Sequence, residues 1–140
     1  MPQGTRESWQ EFILSQPRTA KLATVRPDGR PHVAPVWIAL DGDTVVFTTM
    51  HDTVKAANLR HNPRVMLCVD DEAPPFAFVS VEGVATMSEE PDPEEMLKWT
   101  IRIAGRYMGA DRAGEFGKRN AVPGEVLVRV TPTHITTQPW

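Results

Sequence analysis

The sequence has a single cysteine, Cys68, no long hydrophobic run and no excess of positive charge. One cysteine excludes an internal disulfide, and it lies in an apolar run that is typical of a buried strand. The net charge of −3 gives no broad basic surface, so nucleic acid is not an expected partner. No window approaches the roughly 18 apolar residues of a membrane span, and the first residues have no apolar signal core. We therefore expect a cytoplasmic protein that does not enter a membrane.

Side chains that usually mark catalytic centres are also scarce. The four histidines lack the close spacing of zinc ligands, and no serine lies in a nucleophile-elbow motif. The acidic stretch at residues 70–72 falls in a turn-like loop, which favours a solvated charge cluster over an acid–base dyad. We expect no metal site, and the sequence indicates no tuned proton-transfer pair. The candidate proton donors are His32 and Tyr107, neither of which has a partner in the sequence pattern.

What the chain does have is a regular succession of short β-rich runs. Its 140 residues suit one domain, 1–140, and 41% hydrophobic with 24% charged residues is ordinary globular usage. The Asp28-Gly29 pair between two such runs is a strong hairpin signal. Helical periodicity predicts one helix that ends near residue 15, a second at about 52–60, and a third from Asp92 to Gly109. The predicted strands are 22–26, 33–40, 44–49, 64–70, 76–87 and 125–131. The pattern predicts a mainly β fold with flanking helices, built on a six-stranded antiparallel barrel.

The most informative segment for function, residues 47–58, ends a predicted strand and opens a predicted helix. It places the hydroxyls of Thr48 and Thr49, free helix N–H groups and Lys55 within one turn, and such groups bind phosphate. In the alternative interpretation the threonines are ordinary strand residues, Asp52 caps the helix and Lys55 is solvated. Spacing alone leaves both interpretations open, because no glycine-rich loop accompanies the segment.

A second feature is Pro35, which interrupts the predicted strand 33–40. Proline inside a strand requires a position whose N–H needs no partner, such as an edge, a bulge or a surface approached by a ligand. Such a surface suits a flat ring. The alternative is a plain edge strand with Trp37 in the core.

Three segments, residues 22–31, 33–37 and 55–65, resemble the pyridoxamine-phosphate-oxidase-like family of flavin-reductase-type split β-barrels in both order and spacing. They are most similar to its branch of deazaflavin (coenzyme F420)-dependent oxidoreductases. The resemblance covers about residues 8–131. It implies an enzyme in which reduced F420 delivers hydride to an unsaturated small organic substrate. It also implies a homodimer with the cofactor in a groove between two chains.

The resemblance further implies which residues form the cofactor site. The phosphate end falls on Thr48, Thr49, His51 and Lys55, with Asn58 as a supporting residue. The flat ring falls against residues of the second predicted strand, namely Val33, Pro35, Val36 and Trp37. Residues of the fifth predicted strand approach the ring or tail from the same or the partner chain: Phe76, Phe78 and Ser80.

Two departures narrow the expected function. The C-terminus lacks the arginine- and histidine-containing substrate motif of true pyridoxamine phosphate oxidases, so that vitamin is not the expected substrate. The short loop at residues 71–75 and the Trp37 strand resemble the deazaflavin branch, which favours F420 over the alternative, FMN. A third possibility is a protein of this fold that holds flavin or heme without turnover.

Overall fold

The computed structural model describes residues 6–138 of the chain, so both ends of the predicted domain 1–140 lie outside the described residues. Within this range a short 3-10 helix, Ala110–Arg112, precedes the last α-helix. The four α-helices are α1 (Arg6–Ser15), α2 (Val54–His61), α3 (Pro93–Met108) and α4 (Ala113–Asn120). The strands are β1 (Ala20–Val25), β2 (Pro31–Val36), β3 (Ala39–Asp41), β4 (Thr44–Met50), β5 (Arg64–Asp70), β6 (Phe78–Ser88) and β7 (Glu125–Gln138).

All the strands join one antiparallel sheet in the order β2-β1-β5-β6-β7-β4-β3. The prediction of a mainly β fold with flanking helices is confirmed. The prediction of a six-stranded barrel is wrong in detail, because the described residues form seven strands and the sheet is not closed. The extra strand arises where the predicted strand 33–40 divides into β2 and β3, which become the two edges of the sheet.

The division occurs at Ile38, whose backbone is bonded to side chains of α3 instead of to a neighbouring strand. Its N–H donates to the Tyr107 hydroxyl at 3.1 Å, and its carbonyl accepts from the guanidinium of Arg106. The Tyr107 hydroxyl in turn donates to the carbonyl of Arg18 at 2.8 Å. Because both polar groups of Ile38 are satisfied in this way, the chain leaves one edge of the sheet and enters the opposite edge.

The main core lies on the inner face of the sheet, where α1 contributes Trp9, Phe12 and Ile13. A second, smaller core lies on the outer face and is made by α3. We call this outer surface of β3, β4 and the start of β7, together with the side of α3 that packs on it, the covered face. The buried side chains of this second core are Ala39, Val46, Met96, Trp99, Ile103 and Leu127.

Among residues 6–138 no helix covers the outer surface of β2, β1, β5 and β6 in this way, and we call this surface the uncovered face. Val33 is 67% exposed there, and Met66 and Val84 are 41% and 42% exposed. Cys68, predicted as a core residue, lies on this same face of β5 and is only partly buried. Its position follows from the alternation along β5, where Leu67 and Val69 take the inward positions.

Helix α3 begins and ends where the sequence predicts. Asp92 is its N-cap and accepts from the N–H of Glu95 at 3.1 Å, and Gly109 follows its last residue with φ 93°. Across residues 6–138 no helix is both long and apolar enough to span a membrane.

Candidate functional site

A cleft of about 290 Å³ lies beside the point where the chain crosses from β2 to β3. It is bounded by that crossing, by the end of β4, and by the first turn of α2. The middle of α3, the end of α4 and the start of β7 complete it. The lining residues are Pro35, Val36, Trp37, Thr48, Thr49, Lys55, Thr100, Ile103, Asn120 and Glu125. Six of the predicted cofactor residues therefore share one cavity: Pro35, Val36, Trp37, Thr48, Thr49 and Lys55.

One end of the cleft is polar and is organised by Thr53, the N-cap of α2. The Thr53 hydroxyl donates to the carbonyl of Met50 at 3.0 Å and accepts from the N–H of Ala56 at 3.2 Å. Since its proton is committed, Thr49 is the donor in the 2.8 Å contact between the two threonine hydroxyls. The alternative in which Asp52 caps this helix is wrong, because Thr53 does so. Lys55 follows in the first turn and is half-buried against the cleft.

The opposite end of the cleft is flat and apolar. The Trp37 ring stacks on Tyr107 with centroids 5.0 Å apart and planes 4° from parallel. Pro35 is exposed beside it and has no N–H to satisfy. The Tyr107 hydroxyl is already bonded to two backbone groups, which removes it as a free proton donor. His32, the other candidate donor, does not line the cleft.

Glu125 is the acidic residue of the cleft, and the sequence analysis did not single it out. Its Oε2 is buried and, within the described part of the chain, has no hydrogen-bond partner. Burial raises the pKa of this carboxyl, while the charge of Lys55 acts in the opposite direction. A cation and a partly desolvated carboxyl thus lie in the same cavity.

Three further lining residues escaped prediction: Thr100, Ile103 and Asn120. The sequence predicts an apolar face of α3 formed by Leu97, Ile101, Ala104 and Met108, but of these only Ala104 is among the buried residues of the helix. Residues 96, 99 and 103 pack against the sheet instead, while the Thr100 hydroxyl donates to the carbonyl of Gly117 in α4 and α4 packs against Ile101. A helix with apolar residues on two sides gives no sequence signal for which side meets the sheet.

Three predicted residues near the phosphate end or ring lie outside the cleft lining. His51 is exposed; its N–H donates to the carbonyl of Gly124 at 2.8 Å. Asn58 is buried, and its amide donates to the Thr24 hydroxyl at 3.0 Å, which ties α2 to β1. Val33 is on the uncovered face.

The predicted residues Phe76, Phe78 and Ser80 also lie outside the cleft. Phe76 is 60% exposed in the loop before β6, and Phe78 and Ser80 are half-buried on β6. The strand register aligns Pro35, Lys21, Cys68 and Ser80 in one row across the uncovered face. Three strand spacings, about 14 Å, therefore separate Pro35 from Ser80 within one chain.

No cluster of three or more His, Cys, Asp or Glu side chains that could hold a metal ion is found between residues 6 and 138. The groups available for a ligand are therefore the hydroxyls, the Lys55 ammonium, the Glu125 carboxyl and the ring surface described above.

Comparison with known proteins shows the family of this chain. The family described as pyridoxamine 5'-phosphate oxidase matches residues 5–139. The chain belongs to this family. The resemblance inferred from residues 22–65 is thereby confirmed.

Solved structures and a curated relative extend the comparison. A conserved hypothetical protein from Mycobacterium tuberculosis is 30% identical with a TM-score of 0.81, covering 96% of this chain and 84% of that one. A protein described as an F420 reductase is 31% identical with a TM-score of 0.69, covering 97% and 98%. General stress protein 26 of Bacillus subtilis is 27% identical over 101 residues, 71% of each chain.

Proposed function

We propose that the protein is an oxidoreductase that uses coenzyme F420 to transfer hydride to an unsaturated small organic substrate. The observation that carries the proposal is the cleft itself, with Lys55 and two threonines at one end and Pro35 and Trp37 at the other. The similarity of this chain to an F420 reductase along nearly the whole length of both chains supports F420 over FMN as the cofactor.

The polar end suits the phosphate of such a cofactor. Lys55 supplies the positive charge, and the Thr48 hydroxyl and the first N–H groups of α2 supply donors. The Thr49 hydroxyl already donates to Thr53, so its role is to hold the helix start in place. The Glu125 carboxylate would repel a phosphate here. Burial raises the pKa of Glu125 and so favours its neutral form, which does not repel an anion.

The flat end suits the ring. Pro35 and Val36 offer apolar contact, and the Trp37 ring is held in position by its stacking on Tyr107. The bound deazaflavin supplies the hydride, and the protein binds and orients it and keeps water from one face. Tyr107 is not the proton donor in this proposal, because its hydroxyl is already bonded to two backbone groups.

The active species in this proposal is a homodimer joined through the uncovered face. A cleft of about 290 Å³ is at the small end for organic ligands, so it houses only part of a ring with a long side chain. Phe78 and Ser80 lie on the uncovered face, about three strands from Pro35. A two-fold pairing of these faces brings the partner's strand to the cleft and supplies the missing wall.

An absorbance spectrum of purified protein, followed by titration with F420, tests the function. Lys55→Ala should weaken F420 binding about ten- to a hundred-fold, because charge-assisted bonds to an oxyanion are worth about 1.5–3 kcal/mol. Lys118→Ala, at an exposed position on α4 outside the cleft, is the control and should bind as wild type does.

Three other outcomes of these measurements would contradict parts of the proposal. Unchanged affinity in Lys55→Ala removes this residue from the site. Tight binding of FMN without binding of F420 favours the flavin alternative, and a Soret band from bound heme favours a non-catalytic heme protein.

A further inference from the structure

The apolar end of the cleft depends on a part of the chain that belongs to no strand. β2 ends at Val36 and β3 begins at Ala39, so Trp37 and Ile38 form a two-residue crossing between the two edges of the sheet. Trp37 lines the cleft beside Pro35, while Ile38 is buried in the main core. Because these two residues lie outside the strand pairing, the position of the Trp37 ring is set by the groups that bind the crossing from outside the sheet.

Tyr107, in the last turn of α3, holds the crossing in two ways. Its ring stacks on the Trp37 ring with centroids 5.0 Å apart and planes 4° from parallel. Its hydroxyl accepts from the N–H of Ile38 at 3.1 Å and donates to the carbonyl of Arg18 at 2.8 Å. The side chain is therefore fixed along its whole length, and Tyr107 cannot turn to another rotamer without releasing both Trp37 and Ile38.

The neighbouring Arg106 holds the other polar group of the crossing. Its guanidinium donates to the carbonyl of Ile38, and also to the carbonyls of Ile13 at 2.8 Å and Gln16 at 3.3 Å at the end of α1. The same guanidinium lies 5.1 Å from the centroid of the Tyr107 ring. The planar fork of arginine bonds in both directions at once, which ties the crossing to the helix that packs in the main core.

Such a fixed crossing matters most for a flat ligand. The residues that offer it a wall are Pro35, Val36 and Trp37. Tyr107 does not line the cleft, so it acts on a ligand only through this wall. Aromatic contacts depend on spacing and angle, and a wall that is ordered before binding loses little entropy when the ring binds. The phosphate end is built separately, since Lys55 lies on α2.

We propose that Tyr107 is a positioning residue for the cofactor ring, and that its hydroxyl fixes the Trp37 wall against which the ring binds. Arg106 supports the same crossing through the carbonyl of Ile38. The inference rests on the function proposed above, because it concerns the binding of a flavin-type ring. Removal of the hydroxyl should weaken binding of the ring and leave the contribution of the phosphate unchanged.

Titration with two matched ligands separates the ring from the phosphate: 5-deazariboflavin and its 5'-phosphate. Tyr107→Phe keeps the stacking ring and removes only the hydroxyl. It should weaken both ligands by the same factor, about ten-fold, as expected for loss of the bonds that hold the crossing. Lys55→Ala should weaken only the phosphorylated ligand. At saturation, the circular dichroism of the bound ring should change in Tyr107→Phe and not in Lys55→Ala, because only the first variant moves the wall.

A second measurement needs no ligand. The N–H of Ile38 donates to the Tyr107 hydroxyl, so its hydrogen exchange should be at least about ten-fold faster in Tyr107→Phe, relative to the amide of Val46 on β4. Arg106→Lys keeps the charge without the planar fork and should also weaken both ligands equally. Val69→Ala lowers stability from a core position on β5 outside the cleft lining, and this control should bind both ligands as wild type does.

Unchanged affinity for 5-deazariboflavin in Tyr107→Phe, unchanged exchange of the Ile38 amide, or an equal loss of affinity in Val69→Ala would overturn the inference. A loss confined to the phosphorylated ligand would also overturn it, because Tyr107 would then act on the phosphate end. A wild-type protein that binds neither ligand would instead overturn the proposed function itself, so the two failures are distinguishable.

Discussion

The outer surface of the sheet has two parts, the covered face and the uncovered face, which differ sharply. The covered face is closed by α3, with Trp99 only 1% exposed at its centre. The uncovered face leaves Val33 and Met66 open to solvent. The candidate cleft lies at the boundary between them, where the chain passes from β2 to β3.

The difference begins in the strands themselves. Residues 45–47 in β4 and 126–128 in β7 are consecutive apolar residues, and all are buried. Such runs are typical of strands covered on both faces. In β5 the exposed or half-buried positions, Met66 and Cys68, alternate with the buried Leu67 and Val69, which is the pattern of a strand with one packed face. The candidate cleft lies where the cover by α3 ends, and both Trp37 and the threonines at the end of β4 line it.

The largest effect should come from removing the centre of the covered face. Trp99→Ala should lower the free energy of unfolding by about 3–5 kcal/mol, the usual cost of emptying a buried tryptophan site. Urea denaturation measures it, and Lys118→Ala, at an exposed position of α4, is the control. A loss below about 1 kcal/mol would mean that α3 does not hold the sheet as described.

The next effect concerns the contact between α3 and α4 that completes the covered face. A Cβ on Gly117 would lie 2.4 Å from Cγ1 and 2.7 Å from Cα of Ile101. Gly117→Ala should therefore destabilise the protein by about 1–3 kcal/mol. Gly114→Ala, on the same helix with open space around its Cβ, should instead stabilise it by about 0.5–1 kcal/mol. Changes of the same sign in both thermal melts would contradict this packing.

A third variant tests whether a second chain covers the uncovered face. Met66→Lys puts a charge there, and Glu82 lies opposite on β6 to pair with it in the single chain. We expect the dimer dissociation constant to rise at least about ten-fold in sedimentation equilibrium. Leu14→Lys, at a 54% exposed position on α1, should leave it unchanged. A monomeric wild-type protein, or a dimer untouched by Met66→Lys, would place the interface elsewhere or remove it.

The smallest effect is the pH dependence that Glu125 adds beside the covered face. Its pKa is raised in the folded state, chiefly by burial, so the folded protein holds this proton more tightly than the unfolded chain. The contribution of Glu125 to stability therefore falls as pH rises from below the ordinary value of 4.5 through the raised pKa. Glu125→Gln should be more stable than wild type at neutral pH, by less than about 1 kcal/mol, and should lose this advantage in acid.

Urea denaturation at several pH values measures this difference. Glu11→Gln, at an exposed position of α1, controls for the loss of one charge. An advantage that grew as the pH fell would have the wrong sign for a raised pKa.

Local sequence signals predicted much of the fold and part of the candidate site. Asp92 and Gly109 delimit α3 as expected, because capping depends on a few adjacent residues. The segments holding Pro35 and Lys55 were expected to form one site, and they line one cleft. The division of the predicted strand at Ile38 was missed, since it depends on Tyr107 and Arg106, which are about 70 residues away in the chain.

The sequence by itself determined that the fold is mainly β with flanking helices and where α3 begins and ends, and it predicted that the segments of Pro35 and Lys55 belong to one site. Those properties follow from residue type and spacing within a few positions of each other. Tertiary structure alone decided that the strand divides into two sheet edges, that α3 turns Trp99 to the sheet, and that Glu125 lines the cleft. Each of these depends on which distant groups satisfy a backbone bond or fill a space, and local patterns do not encode such pairings.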